Sequence, residues 1–179
     1  LLSRLSDLAP VCFVNGNHEM CVERHQPERY QKFMDDLKNG GVQVLHNETA
    51  WFWIDGEKVA VTGYELPWEY YRRFSRRHPS VVGMERSIGK RKQDAYQILL
   101  THNPVFFEEY AAWGADFTFA GHLHGGFIRL PYFGGVISPQ FQLFPKYDHG
   151  LYQMDTSSMV VGAGMGNHSG LFRINNPTE

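Results

Sequence analysis

"FTFAGHLHGG", residues 117–126, reads as a short apolar strand that stops on two histidines set among glycines. Two other strand candidates end in the same manner. The run "PVCFV" (10–14) leads into Asn15-Gly16-Asn17-His18-Glu19, and "YQILL" (96–100) leads into Thr101-His102-Asn103. Polar, metal-capable side chains at several strand ends, spaced by glycine, are a recurrent way to build a site along one sheet edge. Imidazole suits Zn and Fe, and an amide oxygen suits harder ions such as Mn, so a mixed Asn/His set favours Mn, Fe or Zn over Ca. Taken singly, each motif has a plainer reading. Asn-Gly favours turns, and a lone histidine is more often structural than a ligand. The three together point to a metal site.

Working outward, a helix is expected from Pro27, with Glu28 in its first turn and Tyr30, Phe33, Met34 and Leu37 on one face. Gly40 and Gly41 stop it. Strands follow at 42–45, 51–54 and 58–63, the last two joined by a tight Asp55-Gly56 hairpin turn. Residues 68–74 read as a short aromatic helix and 83–92 as a charged loop. Asn103-Pro104 is a cap and first-turn pair opening a helix through Trp113. Three terminal strands fit "GLYQMD", "SMVVGA" and "GLFRIN". Alternating strands and helices, with strands dominating late, give an α/β class: layered sheets with helices outside.

The 179 residues suffice for one domain with a core. With 42% hydrophobic and 20% charged residues, the composition is ordinary for a globular protein. The net charge of −2 gives no basic field to recruit nucleic acid. Two cysteines, Cys12 and Cys21, make no disulfide scaffold and lack CxxC spacing. No apolar stretch approaches the ~18 residues of a membrane span. The opening "LLSRLSDLAP" reads as the end of a helix entering a strand, so the first part of the domain and any targeting segment are expected upstream of Leu1.

"GNHE" at 16–19, the single His102 after a strand and "GHLH" at 121–124, in this order, resemble the calcineurin-like metallophosphoesterase family. "GHLHGG" followed by "IRLP", and the closing "FRINNP", look most like its bacterial YkuE- and YaeI-like phosphohydrolases. The resemblance implies a four-layer α/β/β/α sandwich, of which residues 1–179 would be a single domain lacking its N-terminal part. It implies hydrolysis of a phosphate mono- or diester by a metal-activated hydroxide at a two-metal site. Asn17, His102 and His122 would ligate one metal and His124 the other. His18 would donate to the phosphate or leaving oxygen, with Glu19 orienting it. The family's Asp-x-His and Gly-Asp-x-x-Asp motifs, which supply the remaining ligands, do not occur in these residues. One of the two divalent ions therefore lacks most of its ligands here. A non-catalytic scaffold of the same fold and a mononuclear metal-binding module are the rival expectations.

Arg72, Arg73, Arg76 and Arg77, with Lys90, Arg91 and Lys92, form a basic patch. A solvated surface is the favoured reading. The sharper one is a dock for a lipid-linked phosphate, with Trp68, Tyr70, Tyr71 and Phe74 giving peripheral membrane contact. The aromatic stretch 127–144 is either a packed loop or a wall for a substrate tail. "GAGMG" (162–166) fails the dinucleotide spacing and reads as a close-approach loop near the site. The family resemblance leaves location between cytoplasm and membrane surface. His25, His46, His78, His149 and His168 are expected to be surface or loop histidines.

Overall fold

The structure, a computed structural model, describes residues 2–72, 75, 77–126, 128–130, 134–137 and 143–164. A short helix α1 (Leu2–Ser6) feeds strand β1 (Val11–Phe13). Helices α2 (Asn17–His25) and α3 (Pro27–Asn39) follow. Next come β2 (Val42–Val44), β3 (Thr49–Ile54) and β4 (Glu57–Tyr64). A 3-10 turn (Trp68–Tyr71) precedes α4 (Val81–Ile88) and β5 (Tyr96–Thr101). A second 3-10 turn (Pro104–Phe106) runs into α5 (Phe107–Trp113), followed by β6 (Phe117–Ala120). The small strands β7 (Ile128–Leu130) and β8 (Gly134–Ile137) and the pair β9 (Gly150–Met154) and β10 (Ser157–Val161) complete the order.

β1 and β2 pair in parallel as a two-stranded sheet. The main sheet has six strands in the order β3-β4-β5-β6-β10-β9. β4, β5, β6 and β10 are mutually parallel, and the outer strands β3 and β9 are antiparallel to their neighbours. The carboxyl ends of the four parallel strands therefore share one edge.

Strand alternation sorts the core into layers. Tyr30, Met34 and Leu37 of α3 pack with Val11, Phe13 and Val42 on the outer face of the small sheet. Cys12 points the other way, toward Ala50, Val59, Val61, Ile98 and Leu100 of the main sheet. Leu99, between Ile98 and Leu100, faces Met84 and Ile88 of α4 and Tyr110 and Trp113 of α5. The order helix, sheet, sheet, helix agrees with the expected layered α/β class. Beside β1, an apolar groove of about 530 Å³ remains between the sheets, lined by Cys12, Phe52, Ile98, Leu100 and Phe119. No helix of the described residues is long and apolar enough to cross a membrane.

Besides β7 and β8, an antiparallel pair inside the stretch expected as a loop or wall, two stretches differ from the sequence reading. Residues 83–92 were expected as a loop, but 81–88 form α4. Ser80 caps it by accepting from the Gly83 N–H at 3.0 Å, and Met84 and Ile88, one turn apart, bury beneath it. The charges at Glu85, Arg86 and Lys90 lie on or beyond the opposite face. The second difference is at Asn17–His18–Glu19, which is the first turn of α2 and not a plain turn after a strand. Pro27 then separates α2 from α3, because the residue before proline is driven out of the α region, and Gln26 sits at φ −143°. The aromatic segment begins as expected but only as a 3-10 turn, 68–71. Arg73, Phe74 and Arg76, the strand expected at 170–175, His168, and Met165 and Gly166 of the "GAGMG" loop lie outside the described residues. So does most of 131–142.

Asp55 and Gly56 both take positive φ, 51° and 84°, as a two-residue hairpin turn requires. A different constraint acts at Gly63 in β4. An added Cβ there would overlap the Leu45 carbonyl oxygen and stand 2.6 Å from Leu45 Cβ. The end of β4 thus lies directly against the chain leaving β2. Gly63→Ala is expected to cost about 2–3 kcal/mol, in the range of core overpacking. Urea denaturation checks it; a loss under ~0.5 kcal/mol would contradict the close approach.

Candidate functional site

The edge shared by the parallel strands carries the chemistry. β5 ends at Thr101, so His102 lies just beyond it, and β6 ends at Ala120, before Gly121 and His122. The Gly121 N–H donates to the His102 carbonyl at 3.1 Å, tying the two strand ends together. The small sheet contributes from the other side. β1 ends at Phe13, and Asn15-Gly16 turn the chain into α2.

His102 is the centre of this arrangement. A Cβ on Gly16 would sit 2.9 Å from Cε1, Cγ and Nδ1 of its ring, so the backbone of the first loop lies directly on the imidazole. His122 meets the same ring at a centroid separation of 5.1 Å. Asn17 comes in from the N-terminus of α2, its Oδ1 3.2 Å from His122 Nδ1. Three of the expected residues, from three separate elements, therefore converge. His124 follows two residues after His122 and acts electrostatically on His102, as does His18. His18 is exposed, while Asn17 beside it turns toward His122. Successive residues in a helical turn project ~100° apart, which accounts for the split.

The backbone of the histidine loop is unusual. His122 and His124 adopt φ 66° and 51°, and Gly125 and Gly126 are also positive. A left-handed non-glycine residue costs on the order of 1–3 kcal/mol. The loop is held there by Leu123, fully buried between the histidines, and by the Gly126 N–H donating to the Leu123 carbonyl at 2.7 Å. Leu123 is thus buried between the two histidines, and His122 is itself only 8% exposed.

Burial drives the His102 pKa down to about 4, aided by His124 and His18 and opposed by Glu19. Its ring is therefore neutral at physiological pH, with a lone pair to offer. An ion about 2.0–2.2 Å from each of two neighbouring ligands sets those atoms roughly 3.0–3.4 Å apart. The Asn17 Oδ1 to His122 Nδ1 spacing fits. Without an ion, the same spacing is a hydrogen bond from Nδ1–H to the amide oxygen. Among the described residues, no three His, Cys, Asp or Glu side chains group closely enough to hold an ion by themselves. The donors present thus fit one incomplete ion site that depends on the amide of Asn17.

Glu19 holds the first loop closed, its Oε2 accepting from the Gly16 N–H at 2.9 Å. Sequence reasoning missed the layer behind this loop. Glu65, just past β4, accepts from the Asn15 N–H at 3.1 Å and meets His46 Nδ1 at 3.0 Å. Asn15 Nδ2 donates to the Tyr30 hydroxyl at 2.6 Å. Tyr71, read only as part of an aromatic run, lies against both His102 and His122, at 6.1 and 5.2 Å between ring centroids. None of these pairs has a short-range sequence signal; each joins residues from different elements. Two cations of the basic patch have acidic partners. Arg91 makes a two-bond pair with Asp116, and Arg77 lies 3.4 Å from Glu69.

A family model described as calcineurin-like phosphoesterase matches residues 1–126. The chain belongs to this family. The chain is 30% identical over 129 residues to the uncharacterized protein YpbG of Bacillus subtilis (strain 168), covering 70% of this chain and 42% of that one. It is 29% identical over 82 residues to the uncharacterized metallophosphoesterase YkuE of the same organism, covering 46% and 28%. Phosphodiesterase YaeI of Escherichia coli (strain K12) matches at 25% over 175 residues, 98% of this chain and 58% of that protein. The chain thus spans less than two-thirds of the length of each of these relatives. No solved structure matches it.

The depressed His102 pKa has a consequence for metal-free protein. Unfolded, the group takes up a proton near its ordinary 6.5; folded, only near 4. Between these values the unfolded state binds more protons, so stability falls as pH drops from about 6.5 to 4 and flattens below. Thermal melts in EDTA are expected to show this decline, and His102→Gln to make it shallower. An equally steep decline in both proteins would contradict the burial.

Proposed function

We propose that this phosphoesterase chain contributes to a metal-dependent hydrolase that cleaves a phosphate ester at a two-metal site. The observation that carries the reading is Asn17 Oδ1 set 3.2 Å from His122 Nδ1, beside a neutral His102, in a member of this family. Asn17, His102 and His122 would hold one ion and His124 would contribute to the second, with Mn, Fe or Zn suited to the donor set. When bound, such ions supply Lewis acidity and a water ionised at neutral pH. His18, exposed beside the ligand Asn17, would donate to a phosphoryl or leaving oxygen. Glu19, already tied to the Gly16 N–H, holds the turn on which His18 stands. The name of the Escherichia coli relative, phosphodiesterase YaeI, favours a phosphodiester over a monoester. A lipid-linked phosphate is the substrate class that the exposed Arg72 and Trp68 would suit.

The same reading calls for further ligands of the Asp-x-His and Gly-Asp-x-x-Asp type, which these 179 residues do not contain. A mononuclear metal module is the second reading, favoured by the single compact donor set among the described residues. Metal analysis of the intact protein separates one ion per chain from two.

Variants at two histidines test the roles. His18→Ala is expected to keep its metal and to lower kcat by ~10²–10⁴-fold, the usual contribution of a general acid or base. The loss shrinks for nitrophenyl esters, whose leaving group needs little protonation. His122→Ala is expected to lose metal and to fail on every ester alike. Metal loss in His18→Ala, or full activity in it, would overturn the assignment.

A further inference from the structure

Glu65 follows β4 and reaches from the main sheet to the small one. A single oxygen, Oε1, accepts from the Asn15 N–H at 3.1 Å and meets His46 Nδ1 at 3.0 Å. Asn15 lies just past β1, and His46 just past β2. One carboxylate oxygen on the main sheet thus gathers a donor from beyond each strand of the small sheet. The acceptor is itself fixed. The Glu65 N–H donates to Asn47 Oδ1 at 3.0 Å, the next residue, Leu66, is fully buried, and the Glu65 side chain is 16% exposed. Asn15 is 2% exposed, and its Nδ2 donates to the Tyr30 hydroxyl, which ties the same loop to α3. The next amide, the Gly16 N–H, is taken by Glu19 at 2.9 Å. Glu19 belongs to the helix it starts, so its bond shapes the turn without placing it on the main sheet. The bond to Glu65 runs between the sheets and does place it.

We propose that Glu65 is a positioning residue of the ion site, its carboxylate oxygen holding the Asn15 N–H so that Asn17, two residues on, faces His122. The donors of the site come from both sheets. His102 and His122 follow β5 and β6, while Asn17 stands beyond β1 at the start of α2. Ion–ligand distances tolerate only about ±0.2 Å, so the two sheets must be held in register at this edge. The three residues from Asn15 to Asn17 carry that register to the amide oxygen. A partner that orients a metal ligand is typically worth roughly 10–100-fold in metal affinity. Reach, and not charge, is what the geometry uses. Aspartate at position 65 would draw the oxygen back by about 1.5 Å, one carbon–carbon bond. It would leave the Asn15 N–H unmet in a buried loop. Glutamine would keep an acceptor oxygen at the same distance.

The inference rests on the phosphoesterase reading, and Mn²⁺ titration calorimetry on the intact protein separates the two. Wild type is compared with Glu65→Asp, Glu65→Gln and Ser80→Ala. The last removes the cap of α4, which lowers Tm without touching the loop. Wild type and Glu65→Gln are expected to bind Mn²⁺ alike, and Glu65→Asp about tenfold or more weakly. Ser80→Ala is expected to melt earlier and to bind Mn²⁺ as wild type does. In metal-free protein, the Asn15 amide hydrogen is expected to exchange faster in Glu65→Asp than in wild type or Glu65→Gln. Equal exchange in all three overturns the hydrogen bond on which the role depends. Unchanged Mn²⁺ affinity in Glu65→Asp overturns the assignment alone. Binding in Glu65→Gln as weak as in Glu65→Asp does the same, because the charge would then be acting on the ion. Weakened binding in Ser80→Ala also overturns it, by making affinity a measure of stability. Wild-type protein that takes up no Mn²⁺ overturns the phosphoesterase reading, and the role of Glu65 with it.

Discussion

The imidazole of His102 is pressed between the backbone of Gly16 and the rings of His122 and Tyr71, and the rest of the site depends on that packing. No side chain larger than hydrogen fits at Gly16, where a Cβ would lie 2.9 Å from three ring atoms. The contact brings the end of β1 in the small sheet onto the end of β5 in the large one. It also explains why the ring is neutral: the atoms that exclude water from it are carbon-rich or backbone, and burial outweighs the nearby Glu19. Packing and chemistry here have one cause. A neutral, fixed imidazole is what a divalent ion requires, and the same closeness that fixes it also neutralises it.

Behind His102 the two sheets are joined a second time by Glu65. Its backbone N–H donates to Asn47 Oδ1, while its carboxylate takes the Asn15 N–H and faces His46. Glu65 thereby links the end of β4, the turn before β3 and the loop that carries Asn17. Gly63, two residues earlier, lets the backbone near Leu45 approach. The position of Asn17 is thus set from both ends, by this network on one side and by the Glu19–Gly16 bond at the start of α2 on the other. A side chain on the first turn of a helix is held more firmly than one on an open loop, which fixes the Asn17 amide against His122.

Much of this was legible in the sequence because the signals are local. Period-two alternation and turn residues located nearly every described strand, and Asp55-Gly56 marked its hairpin. The glycine-flanked histidines stood out for the same reason. The departures have physical causes. The helix at 81–88 was masked by its charges, although Val81, Met84 and Ile88 keep helical spacing. Helix α2 went unread because Asn15-Gly16 signals a turn locally, yet Glu19 closes a capping box there. Glu65 and Tyr71 carried no signal, since their meaning arises only when β4 is laid beside β5. The carboxylates that would complete a second ion site belong to motifs that these 179 residues do not contain.

The central claim is that Asn17, His102 and His122 face one ion. Anomalous diffraction at the manganese edge, from crystals of the intact protein grown with Mn²⁺, tests it most directly. The account predicts a peak bonded to Asn17 Oδ1, to a His122 ring nitrogen and to His102, at about 2.0–2.3 Å from each. Manganese bound elsewhere, with Asn17 and His122 still hydrogen-bonded to each other, would contradict it.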